Sequence, residues 1–221
     1  MIRAVVFDMD GVIVDSEAQW KAQEESFFRA TVPAWRAEHH RRIVGLGVED
    51  VYHFMVREFG LQMPLDDYLA RCEEVAREVY LHKVVVADGL RELLVDLRRR
   101  RIPTAIASSS PRRWINLVLD RFALAPSFDA VVSADDVGGR TKPAPDIYLE
   151  AVRRLALAPA DCLAVEDSTV GVRAAKAAGL ACAALRTPHN ADQDLALADF
   201  ELTAFTGLDG ASLAHRGLGD A

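Results

Sequence analysis

The stretch Ala4-Val5-Val6-Phe7-Asp8-Met9-Asp10-Gly11 decides how this chain is read. Its first four residues form a continuous β-prone apolar run, the pattern of a strand covered on both faces in a parallel sheet. The run stops at two acids and a glycine, as a buried strand does where it leaves the sheet for a polar loop. Ligands of open α/β sheets collect outside the carboxyl ends of the strands, so Asp8 and Asp10 are expected at a ligand-binding edge. Two carboxylates so close repel each other unless a cation neutralises them, which a hard, oxygen-ligated ion such as magnesium would do. An acidic turn ahead of a helix near Ser16 also accounts for the pair, so the other strand ends have to decide.

Outward from that strand, similar runs recur at Thr104-Ala105-Ile106-Ala107, Ala130-Val131-Val132, Cys162-Leu163-Ala164-Val165 and Ala181-Cys182-Ala183-Ala184-Leu185. Each is separated from the next by a helical stretch, which predicts an α/β fold with a parallel sheet flanked by helices. Ser110 before Pro111 reads as an N-cap and first-turn proline, followed by the apolar stripe Trp114, Ile115, Val118 and Phe122. Between Thr169 and Gly179 the small residues Ala174, Ala175, Ala177 and Ala178 let a helix lie close to the sheet, with Gly179 placed to end it.

The long stretch between the first and second strands has helical periodicity and no good strand. Leu69, Cys72, Val75, Ala76 and Val79 mark one amphipathic helix, and Trp20, Phe27 and Phe28 give another an apolar side. Residues 17–83 are therefore expected to be a helical cap domain inserted into a core of residues 1–16 and 84–221. After Ala191 the chain reads as a short element and a loose tail.

Bulk properties narrow the function classes. A formal charge of −7 disfavours nucleic-acid binding, and the one basic run, Arg98 to Arg101, reads as a solvated helix end. No apolar run approaches the ~18 residues needed to cross a bilayer, and no secretory core follows the N-terminus, so no membrane partner and a cytoplasmic location are expected. Cys72, Cys162 and Cys182 lack metal-ligand spacing and read as buried thiols.

The other strand ends carry the remaining chemistry. Glu166-Asp167 supplies a second acidic tip that can converge with the first on one ion, and either Asp167 or Ser168 can also cap the following helix. Ser108-Ser109-Ser110 offers hydroxyls and backbone N–H groups beside a helix start, where an anion is favoured. Lys142 sits in the proline-stiffened run Thr141-Lys142-Pro143-Ala144-Pro145-Asp146. Together these make a site for a dianion and a divalent cation, the chemistry of a phosphate ester.

The order and wording of these pieces resemble the haloacid dehalogenase superfamily, in the branch of β-phosphoglucomutase and sugar-phosphate phosphatases. The motifs are Asp8-Met9-Asp10-Gly11-Val12, Ser108, Lys142-Pro143-Ala144-Pro145-Asp146, and Glu166-Asp167-Ser168 with Gly171. The resemblance implies a Rossmann-like core with a helical cap, and Asp8 as the nucleophile that forms an aspartyl-phosphate. It implies Asp10 as the acid and then the base, with Ser108 and Lys142 on the phosphoryl oxygens. Mg2+ would be held by Asp8, the backbone carbonyl of Asp10 and Asp167, with Glu166 as a further ligand or support. Gly11 and Ser109 of the same motifs are expected to meet the substrate. The stretch Asp15 to Trp20 resembles the sugar-phosphate phosphatases, which implies that Glu17, Trp20 and Gly47 line the substrate's other end; Trp20 also reads as cap core.

Asp10 argues against dehalogenation, which needs no such acid. The mutase alternative needs cap cations for a second phosphate. Laid along the β-phosphoglucomutase pattern, Val48 and Val75 stand where its arginine and lysine belong, with Arg71 and Arg77 close by. His39, His40 and His53 read as surface or packing residues. The expectation is a monomeric, magnesium-dependent phosphatase acting on a small phosphorylated metabolite, a phosphosugar or sugar-alcohol phosphate. The alternatives are a phosphosugar mutase and a non-catalytic binding module.

Overall fold

In a computed structural model that describes residues 2–216, the five apolar runs become β1 (Ala4–Phe7), β2 (Thr104–Ala107), β3 (Ala130–Val132), β4 (Cys162–Glu166) and β5 (Ala181–Leu185). A sixth strand, β6 (Phe200–Leu202), extends the sheet, whose order is β3-β2-β1-β4-β5-β6 with every neighbouring pair parallel. Phe7 lies level with Ile106 on one side and Val165 on the other, so the three central strands end together. This is the Rossmann-like α/β architecture that the strand runs predict.

Alternation along β1 divides the core into two layers. Val5 and Phe7 pack with Ile106, Leu163 and Val165 against α4 (Leu90–Arg99) and α5 (Arg112–Phe122). Ala4 and Val6 face α6 (Asp146–Arg154) and α7 (Thr169–Ala177). The second layer is rich in small residues, among them Ala105, Ala107, Ala164, Ala174 and Ala175, so the helices can approach the sheet closely.

Between β1 and β2 lie α1 (Glu17–Thr31), α2 (Val48–Phe59), α3 (Leu65–Glu78) and a π-helical turn over Val79–Lys83. These helices enclose a hydrophobic cluster of their own that includes Phe28, Trp35, Phe54, Met55 and Tyr68. The chain leaves and re-enters the sheet layer at one point, where Val14 bridges Val86 and Asp15 donates its N–H to Val85. Among the described residues no helix is long and apolar enough to cross a membrane.

Two local expectations are corrected. Pro111, not Ser110, caps α5, so the Ser110 hydroxyl is free for another partner. The region after Ala191 holds β6 and α8 (Gly210–Arg216), while residues 217–221 of the expected tail lie outside the described residues. At α7 the cap is Ser168, whose hydroxyl accepts from the Gly171 N–H at 3.1 Å.

The loop after β3 is tied down by Asp136, which accepts from the Ser133 N–H and hydroxyl and pairs with Arg112 at 2.6 Å and Arg154 at 2.7 Å. Burial works to raise this carboxyl, but the hydrogen bonds from Ser133 and the two arginines outweigh it and hold it well below the usual carboxylate range. A lowered carboxyl contributes stability that is complete above its ordinary value of 3.8 and is lost as pH falls below it. Asp136→Asn is expected to cost about 1–3 kcal/mol in urea unfolding at neutral pH, with the gap from wild type narrowing in acid. A gap unchanged with pH would contradict this account.

Candidate active site

After β3 the chain crosses back by α6 to place β4 on the other side of β1, so the strand order reverses around β1 and a crevice opens at its carboxyl end. The ladder continues one residue past the strands: the Asp8 N–H donates to the Val165 carbonyl at 3.0 Å and the Ser108 N–H to Val132 at 3.1 Å. Asp8, Ser108, Glu166 and Asp167 thus all stand at one edge, fixed by backbone hydrogen bonds.

Lys142 arrives from the loop between β3 and α6 with its side chain 1% exposed. Its ammonium donates to Asp8 Oδ1 at 2.6 Å and lies 2.5 Å from Glu166 Oε1. Glu166 is otherwise occupied as well: Oε1 accepts from the Tyr148 hydroxyl at 2.7 Å, and Oε2 from the Asp167 and Ser168 N–H groups and the Ser168 hydroxyl. Asp167 differs, because its buried Oδ2 has no hydrogen-bond partner. One carboxylate oxygen from each of Asp8, Glu166 and Asp167 lies within 4.8 Å of the others.

That arrangement suits a hard cation. Burial pushes the Asp8 carboxyl up to about 7, with Lys142 acting against it, and burial likewise raises Asp10 and Asp167. Lys142 itself stays charged, since its two carboxylate partners overcome the effect of burial. One ammonium among so many carboxylates leaves a surplus of negative charge, and an all-oxygen donor set with an orphaned buried oxygen fits a divalent ion of the magnesium class. Two glycines make room for these acids: a Cβ on Gly11, at φ +75°, would overlap Asp167 Oδ2, and one on Gly171 would overlap the Glu166 carboxylate.

The Asp10 carboxylate is not part of this trio. Oδ1 accepts from the Ser16 hydroxyl at 2.6 Å and the Tyr80 hydroxyl at 2.8 Å, and Oδ2 from the Ser110 hydroxyl at 3.0 Å. Tyr80 in turn accepts from the Trp20 indole N–H at 3.2 Å.

Asp8, Asp10, Ser108 and Ser109 line a cavity of about 90 Å³ that also reaches Glu17, Trp20, Glu24, His40 and Val48. The Ser109 hydroxyl is buried and without a partner. Trp20 lines the cavity and stacks on Trp114 of α5 with centroids 5.4 Å apart, so it packs against the main core rather than in the insert's own cluster, where the cap-core reading had it. Gly47 stands outside, in an adjoining cleft where a Cβ would meet Thr141 Oγ1 at 2.8 Å. Arg71 and Arg77 are exposed on α3, Arg71 pairing with Glu74, and neither lines the cavity. His40, read from sequence as surface or packing, is buried and lines it. Cys72 lines it too, with burial pushing its thiol up to about 12, which leaves it a poor nucleophile.

Sequence reasoning missed Tyr80, Ser110, Glu24 and His40. Only Ser110 carried a signal, as the last of three serines at a strand end. The others come from helices whose inward faces are set by tertiary packing.

The family model for haloacid dehalogenase-like hydrolases matches residues 2–179. This chain belongs to that family. It is 32% identical to the phosphorylated carbohydrates phosphatase of Thermotoga maritima over 81% of this chain and 82% of that one. It is 30% identical to hexitol phosphatase B of Escherichia coli over 94% of each. Its fold matches CbbY of Rhodobacter sphaeroides in complex with xylulose-(1,5)bisphosphate, with a TM-score of 0.83 and 27% identity over 96% of this chain and 99% of that one. The family member described here is accordingly a phosphoric monoester hydrolase.

Replacing Lys142 by methionine leaves Asp8 and Glu166 buried without their cation. Removal of one partner from a buried ion pair typically costs about 3–5 kcal/mol, and that loss is expected in urea unfolding of Lys142→Met at neutral pH. Unfolding indistinguishable from wild type would mean that Lys142 is not the counter-charge described.

Proposed function

We propose that the enzyme is a magnesium-dependent phosphatase that hydrolyses a small phosphorylated sugar or sugar alcohol through an aspartyl-phosphate. The observation that carries the reading is the buried Asp8 carboxylate at the end of the central strand, with Lys142 on one side and nearby the carboxylate of Asp167, one of whose buried oxygens has no partner. In the first step an Asp8 oxygen attacks phosphorus, the bond to the ester oxygen breaks, and Asp10 gives that oxygen its proton so that the product leaves as a neutral alcohol. In the second, Asp10 takes a proton from water, whose oxygen attacks phosphorus; inorganic phosphate departs and Asp8 is regenerated.

Ser108 and Ser109 offer hydroxyls to the phosphoryl oxygens, and the Lys142 ammonium offsets charge that grows there in the transition state. Asp8, Asp167 and the Asp10 backbone carbonyl would hold magnesium, with Glu166 supporting them. When bound, the ion supplies positive charge against the phosphoryl group and the surrounding carboxylates. Residues 17–83 act as the cap over this site, and the chain works as a monomer in the cytoplasm.

Phosphate release from a panel of phosphosugars and sugar-alcohol phosphates is expected to require magnesium and to vanish in Asp8→Asn. Asp10→Asn is expected to lower kcat/KM on alkyl esters by about 10²–10⁴-fold, and by much less on p-nitrophenyl phosphate, whose leaving group needs no proton. Equal losses on both ester types would remove Asp10 from the role of acid. Magnesium is further expected to raise the Tm of wild type and not of Asp167→Ala, a readout independent of turnover.

A further inference from the structure

We propose that Glu24 and His40 select the substrate by its tail, admitting a phosphate monoester with an uncharged, hydroxylated tail and excluding a second phosphate. The inference deepens the phosphatase reading and rests on it. Along α1, Glu17, Trp20 and Glu24 fall at i, i+3 and i+7, one face of the helix, and all three line the cavity. His40 reaches the same cavity from the 3₁₀ turn Ala37–Arg42, and its Nε2 lies 2.9 Å from Glu24 Oε2. With His40 only 7% exposed, the pair is a fixed part of the wall rather than a surface contact.

The charge of this wall gives the selection. Asp8, Asp10, Ser108 and Ser109 mark the phosphoryl end, and beyond them the ionisable groups are Glu17, Glu24 and His40 with Cys72 and two tyrosines. Among the described residues no lysine or arginine lines the cavity. Burial and its acidic neighbours push the Glu17 carboxyl up to about 8, so a second phosphate would meet the Glu24 carboxylate there and, among the described residues, no lysine or arginine, an arrangement that rejects like charge. A hydroxylated tail meets what it needs, since its O–H groups donate to carboxylate oxygens in charge-assisted hydrogen bonds. A site built to bind a hydroxyl in this way also rejects analogues that lack it.

The test compares sorbitol 6-phosphate, fructose 6-phosphate and fructose 1,6-bisphosphate, the last two differing by the second phosphate. Wild type is expected to favour the monophosphates in kcat/KM by about tenfold or more. Glu24→Gln, nearly isosteric, should narrow that ratio, and Glu24→Lys should narrow it further or reverse it, with thermal unfolding checking that each variant is folded. His40→Gln should raise KM for sorbitol 6-phosphate more than it lowers kcat. Wild type turning over the bisphosphate as well as the monophosphate would overturn the proposal. So would folded Gln and Lys variants that keep the wild-type ratio.

Failure of the phosphatase reading looks different: no phosphate released from any ester. Calorimetric binding of fructose 6-phosphate and fructose 1,6-bisphosphate to Asp8→Asn would then still read the tail preference, because it needs no turnover. Equal affinity for the two would overturn the proposal by that route.

Discussion

The buried ammonium of Lys142 between Asp8 and Glu166 is the interaction on which the rest of the site depends. Without it the central strand would end in carboxylates whose charge burial alone opposes, and a protonated Asp8 could not serve as the proposed nucleophile. Lys142 is 134 residues from Asp8 in sequence, so its position is a product of the fold. The loop that carries it follows β3 and is tied to α5 and α6 through Asp136, Arg112 and Arg154. A surface ion-pair network at the far side of that loop thus serves the active site by fixing the path of the chain. Such networks between mobile, exposed charges add little, but here both arginines are largely covered and two further bonds from Ser133 hold the acid.

The same charge balance explains why Glu166 and Asp167, adjacent in sequence, are so differently engaged. Glu166 spends its oxygens on Lys142, Tyr148 and the start of α7, which makes it a rigid strut. Asp167 keeps one buried oxygen unpaired, a costly condition unless a ligand completes it. The room for this contrast comes from Gly11 and Gly171, since a methyl group at either position would occupy the space of the carboxylate it faces. Stability is given up to keep acids close together at the end of a strand, as functional sites commonly require.

Much of this was legible in the sequence because two kinds of signal coincide. Strands covered on both faces read as short apolar runs, and each central run ends in a residue whose chemistry is out of place in a core: Asp8, Ser108, Glu166. β6 escaped because it is three residues long with Glu201 at its centre, the polar make-up of an edge strand. Ser110 was read as a cap because a serine before a proline and an apolar stripe is what a helix start looks like; the structure gives the hydroxyl to Asp10 and begins the helix two residues later. Glu24, His40 and Tyr80 were invisible for a different reason. A periodic pattern tells which face of a helix is apolar, but not that a polar residue on the edge of that face points at a distant strand end.

That last group shows how the helical insert and the sheet share one piece of chemistry. Asp10 belongs to the loop after β1, yet its hydroxyl donors come from Ser16 before α1, Tyr80 at the return crossing and Ser110 after β2. Trp20 on α1 donates to Tyr80, and the same helix presents Glu17 and Glu24 to the cavity. The groups that would sense the tail of a substrate and the groups that hold the acid are therefore joined by one helix and one hydrogen bond. A shift of α1 against the sheet would alter the cavity wall and the hydrogen bonds of Asp10 together, because Tyr80 cannot keep both its partners if they separate. Placing the Asp10 carboxylate at the meeting point of insert and sheet ties its environment to what occupies the cavity, whereas Asp8, at the end of β1, and Lys142, held between Asp8 and Glu166, are in place beforehand.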